Sequence, residues 1–473
     1  MNTKVDDRDQ WLCNLELGAA VAMLVANGAT EILYKELPPN ANSKNQVYLA
    51  PDLSDLSRIP SGSVIAHTSY SSKTGQNESV FHVPLDMYWI TSTGTASKAP
   101  QAKLVFYPQY PEVRMSGFLK GARYAPSTFF DKEKLGAIPD RVLLLGITNH
   151  QTIVAIVVPP ESPAARQIKA EQPHEAYGAL RLLPIESSSS DADDYLTLLS
   201  ALAEIHRSGW NDSIRLNGHG VVVPCRATNC NGNTLEALLG IRSNGIALPD
   251  FHGWEIKARG VTNSEKPGSS VVTLFTPEPD GGTYVSDGFG AFMMAYGHDA
   301  DAMIGRTNFG GIYKVGAGIR SHKKLRLDLH GYNQQSQKYS PDGAVVMVND
   351  VGDVAMSWSF SKLLDHWKSK HAKAAFIPSQ LLRGEAPQYR FGSRVLLGTG
   401  AEFGRLLASL ANGNVYYDPG IKLVQPAEGR STAKKRSQFR VKSANLAGLY
   451  ERFLEVDVIA ELSNLTGGSG LLK

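Results

Sequence analysis

The feature that most constrains this chain is a polar segment near its middle, ESSSSDADD at residues 186–194. Four serines and three acids around one alanine cannot bury a core, so the segment is predicted to be a linker or the cap of a following helix. A chain of 473 residues is also too long for one ordinary hydrophobic core. We therefore expect two domains, residues 1–186 and 195–473, joined by a linker at 187–194.

Residues 1–186 have the pattern of a mostly β domain. A helix is predicted at residues 12–28, and short apolar segments follow at roughly even spacing, which is typical of a barrel or sandwich. These segments are QVYLAP, GSVIAHTSY, ESVFHVPL, AKLVFYPQ, EVRMSGFL, RVLLLGI and TIVAIVVPP. Residues 97–126 hold five Lys and Arg against one Glu. That stretch is either a phosphate-facing edge or a solvated strand face.

Residues 195–473 mix helical and strand patterns. Apolar residues recur at helical spacing from Tyr195 to Leu202, and further helices are predicted at 234–241 and around SKLLDHWKSKH. Strands are predicted at 253–258, at 270–275 and in KLRLDLHG, GAVVMVND and VAMSWSF. This order predicts an α+β or α/β domain around a mixed sheet.

Charge and cysteine content narrow the class of protein. The net charge is only +3, and residues 1–186 are nearly neutral, with 17 Lys+Arg against 18 Asp+Glu. Three cysteines cannot make a disulfide framework for a chain of this size and are typical of a reducing compartment. The spacing of Cys225 and Cys230, with no second Cys/His pair nearby, argues against structural zinc.

Neither a membrane nor a nucleotide cofactor is expected. The apolar run at 17–26 follows an acidic segment, whereas an export signal needs a basic one, and it is far shorter than the ~20 residues that span a bilayer. A buried amphipathic helix in a cytoplasmic protein is the better interpretation. The segment GTGAEFG misses the dinucleotide-binding spacing by one residue, and the sequence contains no Walker loop.

The segment with the clearest chemistry is ALPDFHGWEIKARG at residues 247–260. Side chains alternate across a strand, so Trp254 and Ile256 are predicted to face the core. Glu255 and Lys257 then share the opposite face. An exposed ion pair at the end of a strand is the alternative interpretation.

Two carboxylates and a lysine in one cleft suit metal-assisted hydrolysis of a phosphodiester. A turn at His252 would bring Asp250 back beside Glu255. Carboxylates suit Mg²⁺, which shares its coordination shell with substrate phosphate and lowers the pKa of bound water. Lys257 would orient or deprotonate that water and neutralise phosphate charge.

A helix is predicted directly before this motif, in NGNTLEALLGIRSN. Its cap is expected at Asn233 or Thr234, and its leucines form the buried face. Glu236 would then lie in the first turn. It is either a further acid of the metal site or a favourable charge at the positive end of the helix dipole.

A basic cluster lies near the C-terminus, where residues 430–442 contain six Lys and Arg and no acid. Arginine pairs bidentately with guanine, and both cations anchor phosphates. Arg436 and Arg440 are predicted to read base edges, with Lys435, Gln438 and Asp418 as further DNA contacts. A solvated basic loop is the alternative interpretation.

Together these motifs resemble the MvaI/BcnI family of type II restriction endonucleases, within the PD-(D/E)XK nuclease fold. The resembling segments are LEALLGI, the Asn-Gly turn after it, PDFHGWEIK, VVTLFTPEP, VYYDPGIKL and KKRSQFRVK. The resemblance implies that Asp250, Glu255 and Lys257 are catalytic. It also implies that Asp250, Glu255 and Ile256 hold Mg²⁺, with Mn²⁺ as a substitute, and that Glu236 supports the site.

The same resemblance implies a monomer that cuts double-stranded DNA at a short CCNGG-type site, beside a cognate DNA methyltransferase. His252, inside the motif, is a candidate contact of the scissile phosphate, although a histidine in a turn needs no such role. A repair-type or structure-directed nickase on the same fold is one alternative. A DNA-binding regulator with a degenerate nuclease domain is another, although the intact Asp250, Glu255 and Lys257 argue against it.

The first domain resembles the DNA-binding pseudobarrel of EcoRII-type enzymes, and its pairing with the second resembles the architecture of UbaLAI-type enzymes. The segment LYKELPPNANSKNQVYLAP carries this resemblance, with a lysine, an asparagine-rich loop and a strand. Its loop departs from the Asp-Thr-Gly pattern of that pseudobarrel. By this resemblance Lys35, Asn40, Asn42, Arg114 and Lys120 are DNA contacts.

Overall fold

The computed structural model describes residues 5–40, 45–71, 75–171, 173–185, 190–227, 229–241, 250–265, 270–300, 305–319, 324–425 and 431–467. The chain divides into two compact units, Met1–Ser190 and Asp191–Lys473. The helix that opens the second unit begins at Asp191, so residues 191–194 of the expected linker are helical. Among the residues described, no helix is long and apolar enough to cross a membrane.

The first unit is rich in strands. Its helices are α1 (Leu17–Ala26) and α2 (Pro163–Ala170), with 3₁₀ helices at Asp7–Asn14, Leu53–Leu56, Ser127–Phe129 and Leu135–Ala137. Its strands are β1 (Ala29–Leu37), β2 (Val47–Ala50), β3 (Ile65–Ser71), β4 (Gln76–Pro84), β5 (Met87–Ile90), β6 (Ala96–Lys98), β7 (Lys103–Tyr107), β8 (Glu112–Ser116), β9 (Arg141–Thr148), β10 (Ile153–Val158), β11 (Ala176–Tyr177) and β12 (Leu180–Leu183).

These strands form two sheets. The larger has the order β11-β12-β1-β9-β10-β5-β6, and the smaller has the order β2-β8-β7-β4-β3. Strand β10 is buried along its whole length, which explains its unbroken apolar run. The expected β-rich character of this unit is confirmed. The sequence missed β1 because its three charged residues interrupt the apolar pattern.

The second unit carries the remaining elements. Its helices are α3 (Asp191–Arg207), α4 (Cys230–Leu238), α5 (Thr283–Ser286), α6 (Phe289–Tyr296), α7 (Phe360–Lys370), α8 (Phe403–Ala411) and α9 (Val458–Gly467), with a 3₁₀ helix at Ser443–Leu449. Its strands up to α7 are β13 (Trp210–Asp212), β14 (Ile214–Leu216), β15 (Val222–Pro224), β16 (Glu255–Val261), β17 (Val271–Phe275), β18 (His298–Asp299), β19 (Arg306–Gly310), β20 (Arg326–Tyr332), β21 (Tyr339–Val348) and β22 (Val354–Ser359). Its later strands are β23 (Lys373–Leu382), β24 (Gln388–Phe391), β25 (Arg394–Thr399), β26 (Val415–Tyr417), β27 (Gly420–Val424), β28 (Thr432–Lys434), β29 (Phe439–Lys442) and β30 (Arg452–Asp457).

The central sheet of this unit is mixed, as the sequence predicted. Strand β16 runs parallel to β23, from Glu255 opposite Ala374 to Val261 opposite Gln380. The other pairs of this sheet, β13–β24, β23–β24, β23–β25 and β25–β30, are antiparallel. Leucines of α3 pack with Trp254 and Ile256 in one hydrophobic core, so α3 covers the apolar face of β16.

A second core fixes the elements on the other side of β16. Strand β17 pairs with β29 rather than with β16, and α7 packs on β21 and β22. The rings of Phe275 on β17 and Phe439 on β29 stack at 5.3 Å. Trp367 of α7 lies edge-on to Phe275 and donates a hydrogen bond to the carbonyl of Ala401 at 2.6 Å. Buried aromatic contacts of this kind hold α7, β17 and β29 in fixed relative positions.

Cys225 and Cys230 form a disulfide at the start of α4. This corrects the expectation that the cysteines are reduced thiols, since only Cys13 is free among the residues described. Both paired residues are buried. The pair is local and ties the end of β15 to the first residue of α4.

Candidate active site

Strand β16 presents two faces of opposite character. Trp254 and Ile256 lie in the core, which confirms the predicted alternation. Glu255 is also buried, with 4% exposed, and accepts a hydrogen bond at Oε1 from Nζ of Lys257 at 2.8 Å. The interpretation as an exposed ion pair is therefore wrong. The strand begins at Glu255, two residues later than expected.

The turn before the strand returns Asp250 to it. Phe251 and Trp254 form an antiparallel bridge, and the two residues between them, His252 and Gly253, have φ angles of 45° and 77°. Positive φ at both central positions is the geometry of the tightest turns. Asp250 Oδ2 then accepts a hydrogen bond from the backbone N–H of Ile256 at 3.0 Å.

The hydrogen bond to Asp250 also orients the carbonyl of Ile256. In a strand, the N–H and C=O of one residue point to the same edge. The N–H of Ile256 points to Asp250, so its carbonyl oxygen points to that edge too. The carbonyl of Ala258, two residues on, accepts a hydrogen bond there from Asn231 of α4 at 3.4 Å. The backbone oxygen of Ile256 is therefore available beside the Asp250 carboxylate.

Glu236 comes to the same edge from α4. The helix begins at Cys230 after an Asn229 cap, four residues earlier than expected, and so Glu236 lies in the second turn rather than the first. Its interpretation as a partner of the helix dipole is wrong, because that effect is confined to the first turn. Burial and then the charges of Asp250 and Glu255 raise the pKa of Glu236 to about 7.

The three acids share one electrostatic environment. Burial and then the charge of Glu255 raise the pKa of Asp250 to about 6. Burial alone would raise the pKa of Glu255 as well, but the surrounding positive charges, first that of Lys257, together outweigh burial and the net shift is downward. One site thus holds a carboxylate that stays ionised beside two that resist ionisation, because negative charge is concentrated there.

This charge distribution fits a hard cation. Glu255 Oε2 is buried and has no hydrogen-bond partner in the part of the chain that the structure describes. Within that part, no group of three or more acidic, histidine or cysteine side chains is arranged to enclose a metal ion. Mg²⁺ needs no such cage, since one or two carboxylates with waters and substrate phosphate suffice. Asp250 and Glu255 with the Ile256 carbonyl are such a set.

Glu236, Glu255 and Lys257 line a cleft of about 770 Å³, and a second, basic wall lines the same cleft. Arg436, Gln438 and Arg440 line that wall together with β17. Burial alternates along residues 436–440, so these three side chains lie on one face of an extended segment. Arg440 Nη1 is paired with Asp418 Oδ2 at 2.7 Å, which fixes its guanidinium. One cleft thus brings Glu236, Glu255 and Lys257 together with Arg436, Gln438 and Arg440, whereas Asp250 and Asp418 are not among its lining residues.

Two of the predicted DNA contacts point elsewhere. Nζ of Lys435 lies 3.6 Å from a carboxylate oxygen of Glu278 and 5.2 Å from the ring centre of Phe289. His252 Nδ1 lies 3.3 Å from Asp194 Oδ1 of α3. Neither side chain is among those that line the cleft. The cluster at residues 430–442 is acid-free in sequence, but two of its cations have acidic partners in space.

The predicted contacts of the first unit are largely engaged within that unit. Nζ of Lys35 lies 5.9 Å from the ring centre of Tyr48, and burial lowers the pKa of Lys35. Tyr48 is the cross-strand partner of Arg114, whose guanidinium is paired with Glu112 at 2.8 Å. Lys35 and Arg114 are therefore both neighbours of Tyr48.

The other candidates in the first unit do not join this group. Asn40 donates hydrogen bonds to the carbonyl of Phe130 at 2.6 Å and to the side chain of Asn45 at 2.9 Å. Lys120 is exposed. Asn42 lies outside the described residues.

The sequence interpretation missed the contribution of α7. His366 and Lys370 line the cleft on the side of the acids. They are four residues apart, which places them on one helix face. The polar stripe Lys362, His366, Lys370 in the predicted helix was the available signal.

His371, directly after α7, is a buried support of the site. It is fully buried, and burial lowers its pKa to about 3, so the ring is neutral. Its Nε2 lies 3.1 Å from the carbonyl of Leu274, which can only accept, so Nε2 carries the proton. Its Nδ1 then accepts from the hydroxyl of Tyr450 at 3.3 Å. The neutral His371 ring is held by two hydrogen bonds and is therefore a rigid neighbour of Glu255.

Comparison with known proteins adds the family. The MvaI/BcnI restriction endonuclease family profile matches residues 199–450. The chain is similar to the structure of restriction endonuclease MvaI in complex with its cognate DNA substrate, with 20% identity, a TM-score of 0.42, and coverage of 57% of this chain and 99% of that chain. The structure of MvaI in the absence of DNA gives 19% identity, a TM-score of 0.32, and coverage of 57% and 100%.

Comparison with curated proteins gave no match. The resemblance of the first unit to the EcoRII-type pseudobarrel is not confirmed by any of these comparisons. The family match covers more than half of the 473 residues and contains every residue of the cleft described above. The chain therefore belongs to the MvaI/BcnI restriction endonuclease family and is a DNA endonuclease.

Proposed function

We propose that this endonuclease hydrolyses double-stranded DNA at a short CCNGG-type site in a Mg²⁺-dependent reaction. The observation that carries the proposal is the two-walled cleft. One wall of the cleft carries carboxylates and a lysine from α4 and β16. The other wall carries two arginines and a glutamine, in and just before β29. One wall suits phosphodiester chemistry, and the other suits the reading of base edges.

Asp250 and Glu255 would hold the metal through their carboxylates, and Ile256 through its backbone oxygen. The unpartnered Oε2 of Glu255 supports this assignment. When bound, Mg²⁺ lowers the pKa of a coordinated water and stabilises charge on the phosphorus centre, and Mn²⁺ would substitute for it. Asp250 keeps its second role of fixing the turn through the N–H of Ile256.

Lys257 and Glu236 would act around that centre. The ammonium of Lys257 is held at 2.8 Å from Glu255 and so stays at the edge of the carboxylates. From there it orients the attacking water and neutralises phosphate charge. Glu236 holds a proton near neutral pH when the site carries no cation, which relieves repulsion among the acids.

Arg436 and Arg440 would select the G·C pairs of the site. Arginine pairs bidentately with the O6 and N7 atoms of guanine, and glutamine pairs in the same way with adenine. Asp418 holds Arg440 in one orientation, which lowers the entropy lost on binding. Gln438 lies between the two arginines and would contribute to the choice of the central base pair.

The first unit would serve as an accessory DNA-binding module. Lys35, Arg114 and the exposed Lys120 are its basic candidates, and the module would bind a second copy of the target or add affinity. The enzyme would act as a monomer and would be paired with a DNA methyltransferase that protects the same site.

Cleavage mapping tests this proposal. The full chain is incubated in Mg²⁺ with plasmid DNA that carries CCWGG and CCSGG sequences, and the product ends are located by run-off sequencing. We expect double-strand breaks at one of these sequences. Asp250→Ala and Lys257→Ala should abolish them, whereas Lys435→Gln, which removes a charge outside the cleft, should not.

Other outcomes would assign another function. Scattered or strand-biased nicks would indicate a structure-directed nickase. Tight DNA binding without cleavage in any divalent metal would indicate a DNA-binding regulator.

A further inference from the structure

Helix α7 places two basic side chains in the cleft that the proposed reaction does not use. His366 and Lys370 line it together with Glu236, Glu255 and Lys257. A spacing of four residues puts the two side chains one turn apart, about 6 Å along the helix axis. They form a short stripe beside the acids.

Neither side chain is engaged by the protein. Within the described part of the chain, no hydrogen bond or ion pair joins His366 or Lys370 to another residue. Lys368, which lies between them on the helix, is paired with Asp365 at 3.5 Å. Lys257, the other lysine of the cleft, is paired with Glu255. Lys370 is thus a cation at the acidic site with no partner among the residues described.

The helix that carries them is rigidly placed. Trp367, which lies between them in the sequence, is buried and donates a hydrogen bond to the carbonyl of Ala401. Leu363 and Leu364 are buried on the same side. Side chains that start from so firmly packed a helix can be held close to one position, as a substrate contact requires.

The charges around Lys370 indicate which group its ammonium can bind. Its ammonium is close enough to lower the pKa of both Glu236 and Glu255. A DNA strand brings one further negative charge per phosphate. The ammonium of Lys257 is already shared with Glu255, so a phosphate that enters the cleft beside the acids meets an unshared cation in Lys370.

We propose that Lys370 contacts the phosphate that is cleaved and that His366 contacts the next phosphate of the same strand. This assignment rests on the proposed function. Lys370 stabilises charge on the phosphorus centre and exchanges no atom with it. His366 donates through a ring N–H, which a neutral imidazole always has.

A scan with methylphosphonates tests the contact. Each duplex carries one target site with a single phosphate replaced by the uncharged methylphosphonate. Binding of the full chain is measured by fluorescence anisotropy in Ca²⁺, and cleavage of the unmodified duplex is measured in Mg²⁺. The products of the wild-type reaction identify the cleaved phosphate.

We expect Lys370→Gln to weaken binding to the unmodified duplex about threefold to tenfold, to slow single-turnover cleavage tenfold or more, and to reduce the salt dependence of binding by about one ion. On the duplex modified at the cleaved phosphate, wild type and Lys370→Gln should bind equally. Lys370→Arg, which keeps the charge, should retain most of the affinity. On the duplex modified at the adjacent phosphate, His366→Ala and wild type should bind with equal affinity.

The matched control is Lys362→Gln, which removes the same charge from the same helix two turns away and outside the cleft lining. Its binding should differ from wild type by the same factor on every duplex. The assignment is wrong if Lys370→Gln also differs from wild type by one constant factor, because Lys370 would then act through the carboxylates or the fold.

The two proposals fail in different measurements. A wild-type chain that binds the duplex but does not cut it would overturn the proposed reaction. In that case the contact would still be demonstrated if Lys370→Gln and wild type bound equally to one of the modified duplexes. The contact would be overturned if the two proteins differed in affinity on every duplex.

Discussion

Arg141 in the first unit and Glu255 in the second are both charged and almost fully buried, yet they differ in how many of their polar atoms have hydrogen-bond partners. Arg141 is 1% exposed and donates hydrogen bonds to the carbonyls of Ile138 at 2.7 Å, Pro38 at 2.5 Å and Phe129. Glu255 has one oxygen on Lys257 and the other without a hydrogen-bond partner among the described residues. The hydrogen bonds of Arg141 are therefore satisfied within the protein, whereas those of Glu255 are satisfied only in part.

The difference separates structural charges from functional ones. A buried charge whose hydrogen bonds are all satisfied stabilises the arrangement of its partners. A buried charge with an open position lowers stability and gains its partner only when a ligand arrives. In the second unit the open oxygen belongs to Glu255, which lines the cleft, whereas in the first unit Lys35 and Arg114 are already engaged by their neighbours.

Asp250→Asn should give the largest effect, on cleavage alone. The asparagine oxygen can still accept from Ile256 N–H, so the turn is retained, but a negative charge for the metal is lost. We expect cleavage in Mg²⁺ to fall by about 10³-fold or more while Tm does not decrease. Plasmid cleavage and calorimetry measure the two. A lower Tm would place Asp250 with the structural charges.

Arg141→Met should have the opposite signature. It leaves three buried carbonyls without their donor, so the free energy of unfolding of the first unit should fall by about 3–5 kcal/mol. Urea unfolding followed by tryptophan fluorescence measures this. The matched control Arg166→Met removes an exposed guanidinium of α2 and should change stability little. A neutral result for Arg141→Met would remove the distinction between the two charges.

Arg436→Gln should sharpen the assignment of the reading wall. Loss of a bidentate contact to guanine costs about 1–3 kcal/mol of discrimination. We expect cleavage of the cognate site to fall by about tenfold to a hundredfold, with a smaller loss on sites altered at one G·C pair. Competition between duplexes in one reaction measures the ratio. An equal loss on all sequences would make Arg436 a phosphate contact.

Glu236→Gln should give the smallest effect, and one that depends on pH. The folded chain holds the Glu236 proton up to its pKa of about 7, whereas the unfolded chain loses it near the ordinary 4.5. The stability from this proton is therefore complete below pH 4.5 and is lost as the pH rises through 7. In metal-free buffer at pH 8 the variant should exceed wild type by about 1–2 kcal/mol in the free energy of unfolding.

At pH 4 the two proteins should be equally stable. Glu204→Gln changes an exposed acid of α3 and serves as the matched control, with no gain expected at either pH. A Glu236→Gln variant that is less stable than wild type at pH 8 would contradict the raised pKa. Denaturant titrations at the two pH values decide the matter.

The local part of the site could be predicted from the sequence, because it depends on neighbours along the chain. Alternation placed Trp254 and Ile256 in the core, and the His252-Gly253 turn brought Asp250 back to the strand. The contribution of α7 could not be predicted in this way. His366 reaches the cleft only through the packing of Trp367 against distant aromatic residues, which no local pattern encodes.

The fold shows the same division. The helices and strands with strong periodicity, such as α3, α7 and β20 to β22, were predicted correctly. The start of α4 was wrong because the disulfide at Cys230 and the cap at Asn229 extend the helix beyond its apolar face. The pairing of β17 with β29 joins segments far apart in sequence, and short apolar strands do not specify such partners on their own.

The parallel pairing of β16 with β23 has a consequence for biosynthesis. Glu255 is paired with Ala374, and the strand is without this partner until the ribosome has translated well beyond it. Long-range strand pairs form only after both segments are available, and their formation is slow. The wall with Arg436 and Arg440 is translated later still. A nascent chain therefore carries Asp250, Glu255 and Lys257 before the rest of the cleft has been translated.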